Sequence, residues 1–292
     1  MSQIVSYVTS FLAADFTFAA EFQSFLMALQ GAMAVKNTSN KNGKMKWFHA
    51  FAEGVVIAYA GALFTPFWMG RVTPMLANEM NMAMCIISFL IVNFLPFSLG
   101  RKFGNFLPIR LLVISGAQLF RTMGIIKFVN IAHEAFKDSP PPFYPTTPII
   151  GPILFATILS NMGAFFWKGF HGHLQNGMPF PFQNGLFCAT LYHFVSNDIE
   201  GPVGNILRSA INAVPQLTLG LSNEAFTISF ISAFMQVTGM LQIPELFGPS
   251  FNPFYTFYYI WDIVKPKAKL IDTINRNQGV KKMKKKKKKK NE

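Results

Sequence analysis

Four ionisable residues interrupt long apolar runs in this chain: Glu21, Glu53, Arg121 and Lys127. In hydrocarbon such a group costs about 3 kcal/mol at a helix centre, so it turns to a protein interior or to water. Glu53 precedes Gly54 in the run HAFAEGVVIAYAG, and Gly61 follows two turns later. Ser160, Asn161 and Gly163 hold the matching place in GPILFATILSNMGAFFWKG. Glycine lets helices bend or approach closely, and freed carbonyls, a hydroxyl and an amide can line a polar path for a cation. The same residue types also serve as plain helix–helix packing. Both uses stay open on the residues alone.

Arg121 ends FLPIRLLVISGAQLFR, residues 106–121. It lies about 16 Å beyond Arg110 on a helix rising 1.5 Å per residue, too deep to reach the same interface easily. It can face a water-filled path and repel cations, pair with Glu53, or hold an anion such as a lipid phosphate. Other chemistry is scarce. His171 and His173 form an HGH pair with no carboxylate or cysteine close in sequence, and Cys85 and Cys188 sit singly in apolar runs. No nucleophile elbow, zinc-protease, phosphate-loop or dinucleotide signature occurs. The expectation is a protein that is not an enzyme and carries no metal.

The elements that must position these residues follow from composition. Of 292 residues 51% are hydrophobic and 13% charged, with 33 phenylalanines. A soluble surface needs about 25% charged residues, whereas lipid covers most of a polytopic membrane protein. Hydropathy places seven spans near 16–35, 47–68, 82–99, 107–131, 149–167, 185–198 and 224–243. The first lacks the basic flank of a signal peptide. The net charge of +13 is concentrated in Lys281, Lys282 and the run 284–290, so the body is only weakly basic. That argues against a nucleic-acid-binding face.

Basic residues set the orientation. Loop 36–46, Arg101, Lys102, Arg110, Lys168 and the tail fall on one side of a seven-span bundle, leaving Arg71, Lys137 and Arg208 opposite. The C-terminus is then cytosolic and residues 1–15 are luminal. Residues 16–243 form the helical domain, 244–264 an aromatic interfacial segment and 265–292 a basic cytosolic tail. Spans two and three echo spans five and six, each a glycine-bearing helix followed by a compact apolar one. Two such three-span units are necessarily inverted in the bilayer, as in many transporters and channels. The fold class is therefore all-α and polytopic: two inverted three-helix repeats plus a seventh helix. A secondary transporter for a small solute, or a membrane enzyme or scaffold, remains an alternative to a channel.

FLPIRLLVISGAQLFR, GPILFATILSNMGAFFWKG, FPFQNGLFCATL and FNPFYTF occur in an order and spacing that resemble the trimeric intracellular cation (TRIC) channels. The resemblance implies a homotrimer in which each protomer carries its own path between the second and fifth spans. It implies passive passage of potassium ions across endoplasmic or sarcoplasmic reticulum membrane, offsetting charge moved by calcium release. It also implies an inositol phospholipid, an anionic membrane lipid, held at Arg121 beside Gln118. Pore residues on this basis are Glu53, Gly54, Gly61, Ser160, Asn161 and Gly163. Ala117, Gln118 and Leu119 depart from the family's Lys-Glu-Val ahead of the arginine. Lys289 and Lys290, third and fourth from the end given, resemble a dilysine signal that returns membrane proteins to the reticulum. The same run also suits tethering to anionic headgroups.

Overall fold

The computed structural model describes residues 3–137, 148–168, 179–214 and 220–243, with single positions at 218, 246, 252, 254 and 260. The chain divides into two compact units, Met1–Ser250 and Phe251–Glu292. His171, His173, most of segment 244–264 and the whole tail, with Lys289 and Lys290, lie outside the described residues.

Apolar runs fold into helices, and their ends follow turn chemistry. In chain order these are α1 (Gln3–Leu12), α2 (Ala19–Asn37), α3 (Trp47–Trp68), α4 (Pro74–Ala77), α5 (Glu79–Phe94), α6 (Leu99–Asn105), α7 (Leu107–Lys137), α8 (Ile150–Lys168), α9 (Phe180–Ser196), α10 (Pro202–Asn212) and α11 (Asn223–Met240). No strand occurs among the described residues. Asn78 caps α5 by accepting the Met80 amide at 3.0 Å, and Ser222 caps α11 by accepting the Ala225 amide at 3.2 Å. Pro181 and Pro202 sit in first turns, where a missing N–H is harmless. That is why α9 starts at 180 rather than the expected 185. Helix α5 stops at Phe94, short of the expected 99, because Leu95 is extended and Phe97 adopts a left-handed conformation before α6. Among the described residues two helices, Trp47–Trp68 and Leu107–Lys137, are long and apolar enough by themselves to cross a membrane; Gln3–Leu12, Glu79–Phe94 and Ile150–Gly163 are shorter apolar stretches.

Helices α2, α3 and α5 pack together, as do α7, α8 and α9. The two groups meet through α2 on α7 and α3 on α8. One apolar core gathers Met27 and Ala28 of α2, Ala58 and Tyr59 of α3, Met75 of α4, Cys85 of α5 and Ala117 of α7. Another joins Ile125, Phe128 and Val129 of α7 to Ala156, Cys188, Tyr192, Ile231 and Met235. Long α7 thus belongs to both. The outside carries large exposed apolar side chains, among them Ile86, Ile87 and Leu90 on α5, Leu154 on α8 and Val237 on α11. Such a surface suits contact with lipid or a partner better than contact with water.

Candidate functional site

Polar side chains gather where α7, α8 and α9 meet. On α8, Ser160 Oγ donates to the Thr157 carbonyl at 3.0 Å, and Asn161 Nδ2 donates to the same carbonyl at 2.8 Å and to Ser160 Oγ at 2.7 Å. Gly185 of α9 makes room for this pair. A Cβ there would lie 2.4 Å from Asn161 Nδ2 and 2.5 Å from Ser160 Oγ. Helix α11 is tied in by side-chain bonds that an apolar setting makes costly to lose. Ser115 Oγ donates to Gln236 Oε1 at 2.9 Å, and Asn184 Nδ2 donates to Thr238 Oγ1 at 2.6 Å.

Two cavities open beside this junction. The larger, about 270 Å³, is walled by Gln30, Gln118, Arg121, Asn161, Asn184 and Gln242, with Ile114, Phe180, Met235 and Gly239 supplying apolar surface. The smaller, about 60 Å³, lies against Ile57, Ala58, Gly61, Leu159, Ser160 and Gly163. Arg121, Asn161 and Pro181 border both. The Arg121 Nε is buried without a hydrogen-bond partner, as are Gln118 Oε1 and Asn184 Oδ1. No ion pair to Arg121 occurs among the described residues. Arginine and carboxamide residues thus wall about 270 Å³ of open volume, while these three orphan atoms are themselves covered by neighbouring groups.

Helices α3 and α8 meet differently from expectation. A Cβ on Gly61 would lie 1.6 Å from the Leu159 carbonyl oxygen, and one on Gly163 would lie 2.1 Å from that of Ile57. The contact is reciprocal: on each helix the glycine stands four residues after the residue whose carbonyl the other glycine meets. The backbones touch, and the open space lies alongside this contact rather than through it. At these two positions the packing use of glycine is the one realised. Gly54 serves another contact, between α2 and α3, where a Cβ on Gly31 would come within 2.5 Å of the Gly54 carbonyl.

Glu53 is not on either cavity wall. Ser39 Oγ donates to its Oε1 at 2.6 Å, and His49 Nε2 lies 3.9 Å from Oε2. It occupies the second turn of α3, near the 36–46 loop, so the pairing with Arg121, one of the alternatives the sequence left open, does not form. Glu21 sits in the first turn of α2, where its charge complements the helix dipole, and Lys127 is exposed. The structure therefore brings Gly61, Ser160, Asn161, Gly163, Gln118 and Arg121 together and leaves Glu53 and Gly54 apart. Sequence reasoning missed Gln30, Asn184 and Gln242. Carboxamides inside apolar runs were the signal, but they carry no charge to draw attention.

No protein-family model matches the chain, and no curated protein matches it. Among solved structures it is similar to a trimeric intracellular cation channel from C. elegans, determined in the absence of Ca2+. The TM-score is 0.59 at 11% sequence identity, over 83% of this chain and 98% of the channel's. The all-helical fold is that of a TRIC channel.

Proposed function

We propose that the chain is a divergent TRIC-type channel passing monovalent cations, chiefly potassium, through an intracellular membrane. The observation that carries this reading is the shared fold, spanning nearly the whole of a protein described as a trimeric cation channel. The cavity walled by Arg121 and by the carboxamides Gln30, Gln118, Asn161, Asn184 and Gln242 supports it. The matched contacts of α2 on α7 and α3 on α8 support two inverted three-helix units with α11 added. The chain assembles as a homotrimer in endoplasmic reticulum membrane, with the tail cytosolic, and supplies counter-ion current when calcium is released. The α3–α8 backbone contact is the closed state of the path. Ions take the larger cavity past Asn161 when that contact loosens. Arg121 and Gln118 meet the phosphate of an inositol phospholipid entering the same cavity.

Planar-bilayer recording tests this directly. Purified protein is expected to give unitary current steps that reverse near the potassium equilibrium potential under a KCl gradient. Reversal at the chloride potential would overturn cation passage. The second reading, a transporter, draws support from the tight α3–α8 backbone contact, beside which the polar-walled cavity has room for a small solute. Saturable slow flux without steps would establish it instead.

A further inference from the structure

We infer that α10 lies in the headgroup boundary of the bilayer, its apolar stripe immersed in lipid. This rests on the membrane reading of α9 and α11, whose ends it joins.

The helix shows three distinct faces. Val203, Ile206 and Ala210 recur at helical spacing, continued by Ile199 before the helix and Val214 after it, and all five are exposed. Ile206 is 69% exposed and Ile199 65%. The opposite face is pressed inward. A Cβ on Gly204 would lie 2.0 Å from the Asp198 carbonyl oxygen and 2.5 Å from that of Phe194, so the α10 backbone rests directly on the end of α9. Arg208, the one charged residue in α10, is on this inner side. It donates to the carbonyls of Val195 at 3.0 Å, Asp198 at 3.3 Å and Ile199, and to Asn205 Oδ1 at 2.9 Å. Its charge thereby meets the carbonyl-rich end of α9, which favours a cation. Asn205, Ser209 and Asn212 form the third, polar side and are exposed.

Two features select lipid as the occupant. The stripe is uncharged and flanked by a polar side, which is how a helix lying in the interface plane presents itself. An eleven-residue helix is also only about 16 Å long, too short to supply the roughly 800 Å² per partner that a specific protein interface buries. With no basic residue facing outward, attachment comes from apolar burial and does not depend on anionic lipid.

Spin labels on cysteines at Ile206 and Val203 test the placement in phosphatidylcholine vesicles, with labels at Asn212 on the polar side and Leu90 on α5 as references. Collision with oxygen should exceed collision with a water-soluble nickel chelate at 206 and 203. The order should reverse at 212, and 206 should lie shallower than 90. Adding anionic lipid or salt should change none of this. If 206 and 203 are as aqueous as 212 while 90 is in lipid, the inference is overturned and the bundle stays in the membrane. Spin–spin broadening between labels at 206 would replace lipid by a second copy and likewise overturn it. A label at 90 that reads aqueous removes the membrane reading and the inference with it.

Discussion

At the scale of single residues, Arg121 and Ala117 show how one turn of α7 faces two environments. Ala117 is fully buried against the core of α2, α3 and α5, and Arg121, one turn further along the same face, borders both cavities. The TRIC motif that the sequence resembles has lysine where Ala117 stands. In this packing a lysine there would put a cation among Met27, Ala58 and Tyr59. Ala117→Lys is therefore expected to destabilise the bundle by about 3 kcal/mol or more, the range for a buried unpaired charge. Thermal unfolding in detergent checks it, and an unchanged midpoint would mean that this side of α7 is not packed as described. Arg121→Gln should behave in the opposite way. Its guanidinium Nε has no partner to lose, so stability should hold within about 1 kcal/mol or rise. If Arg121 holds lipid phosphate, inositol phospholipid copurifying with the variant should fall about tenfold, the equivalent of about 1.4 kcal/mol. Unchanged retention would separate the arginine from the lipid.

At the scale of helices, the glycines that look alike in sequence do different jobs. A Cβ on Gly54 would meet its nearest heavy atom, Ala32 Cα, at an ordinary 3.6 Å, so Gly54→Ala should be neutral or stabilising by up to about 1 kcal/mol through helix propensity. Gly61→Ala and Gly163→Ala put a methyl into a facing backbone, which cannot rotate away, and should cost about 1–3 kcal/mol as the helices part. If that contact is the closed state, both variants should also conduct more often in bilayer recordings. Equal stability for all three variants would dissolve the reciprocal contact. These distinctions were beyond sequence reading, because a glycine run does not say which neighbour touches it. Other features were legible. The apolar run 47–68 is α3 to the residue, since a lysine-rich loop precedes it and Gly70, at φ 65°, ends the chain's approach to Arg71. The Ser160–Asn161 pair declared a polar spot inside α8. Helix α1 escaped notice because its apolar run of ten residues is too short to be a span, α10 because a short amphipathic helix raises no hydropathy peak, and Glu53 was read at depth because its hydroxyl partner Ser39 lies across a loop.

At the scale of the molecule, the proposed function requires the bundle to be in the reticulum membrane, and two physically separate roles are proposed for the tail. A dilysine read by a receptor depends on the two positions, Lys289 and Lys290, and on little else. An electrostatic tether depends on the number of lysines, each contributing about 1 kcal/mol near an anionic surface. Replacing Lys289 and Lys290 by alanine removes the first while leaving Lys281, Lys282 and most of the run 284–290 to sustain the second. Deleting residues 281–292 removes both. Retrieval therefore predicts that the double-alanine variant and the truncation leave the reticulum alike, as seen by microscopy of tagged full-length protein. Tethering alone predicts that the double-alanine variant stays and only the truncation alters membrane partition, with an ionic-strength dependence that a receptor signal would lack. A truncated protein that remains in the reticulum would show that location is encoded in the helical bundle itself.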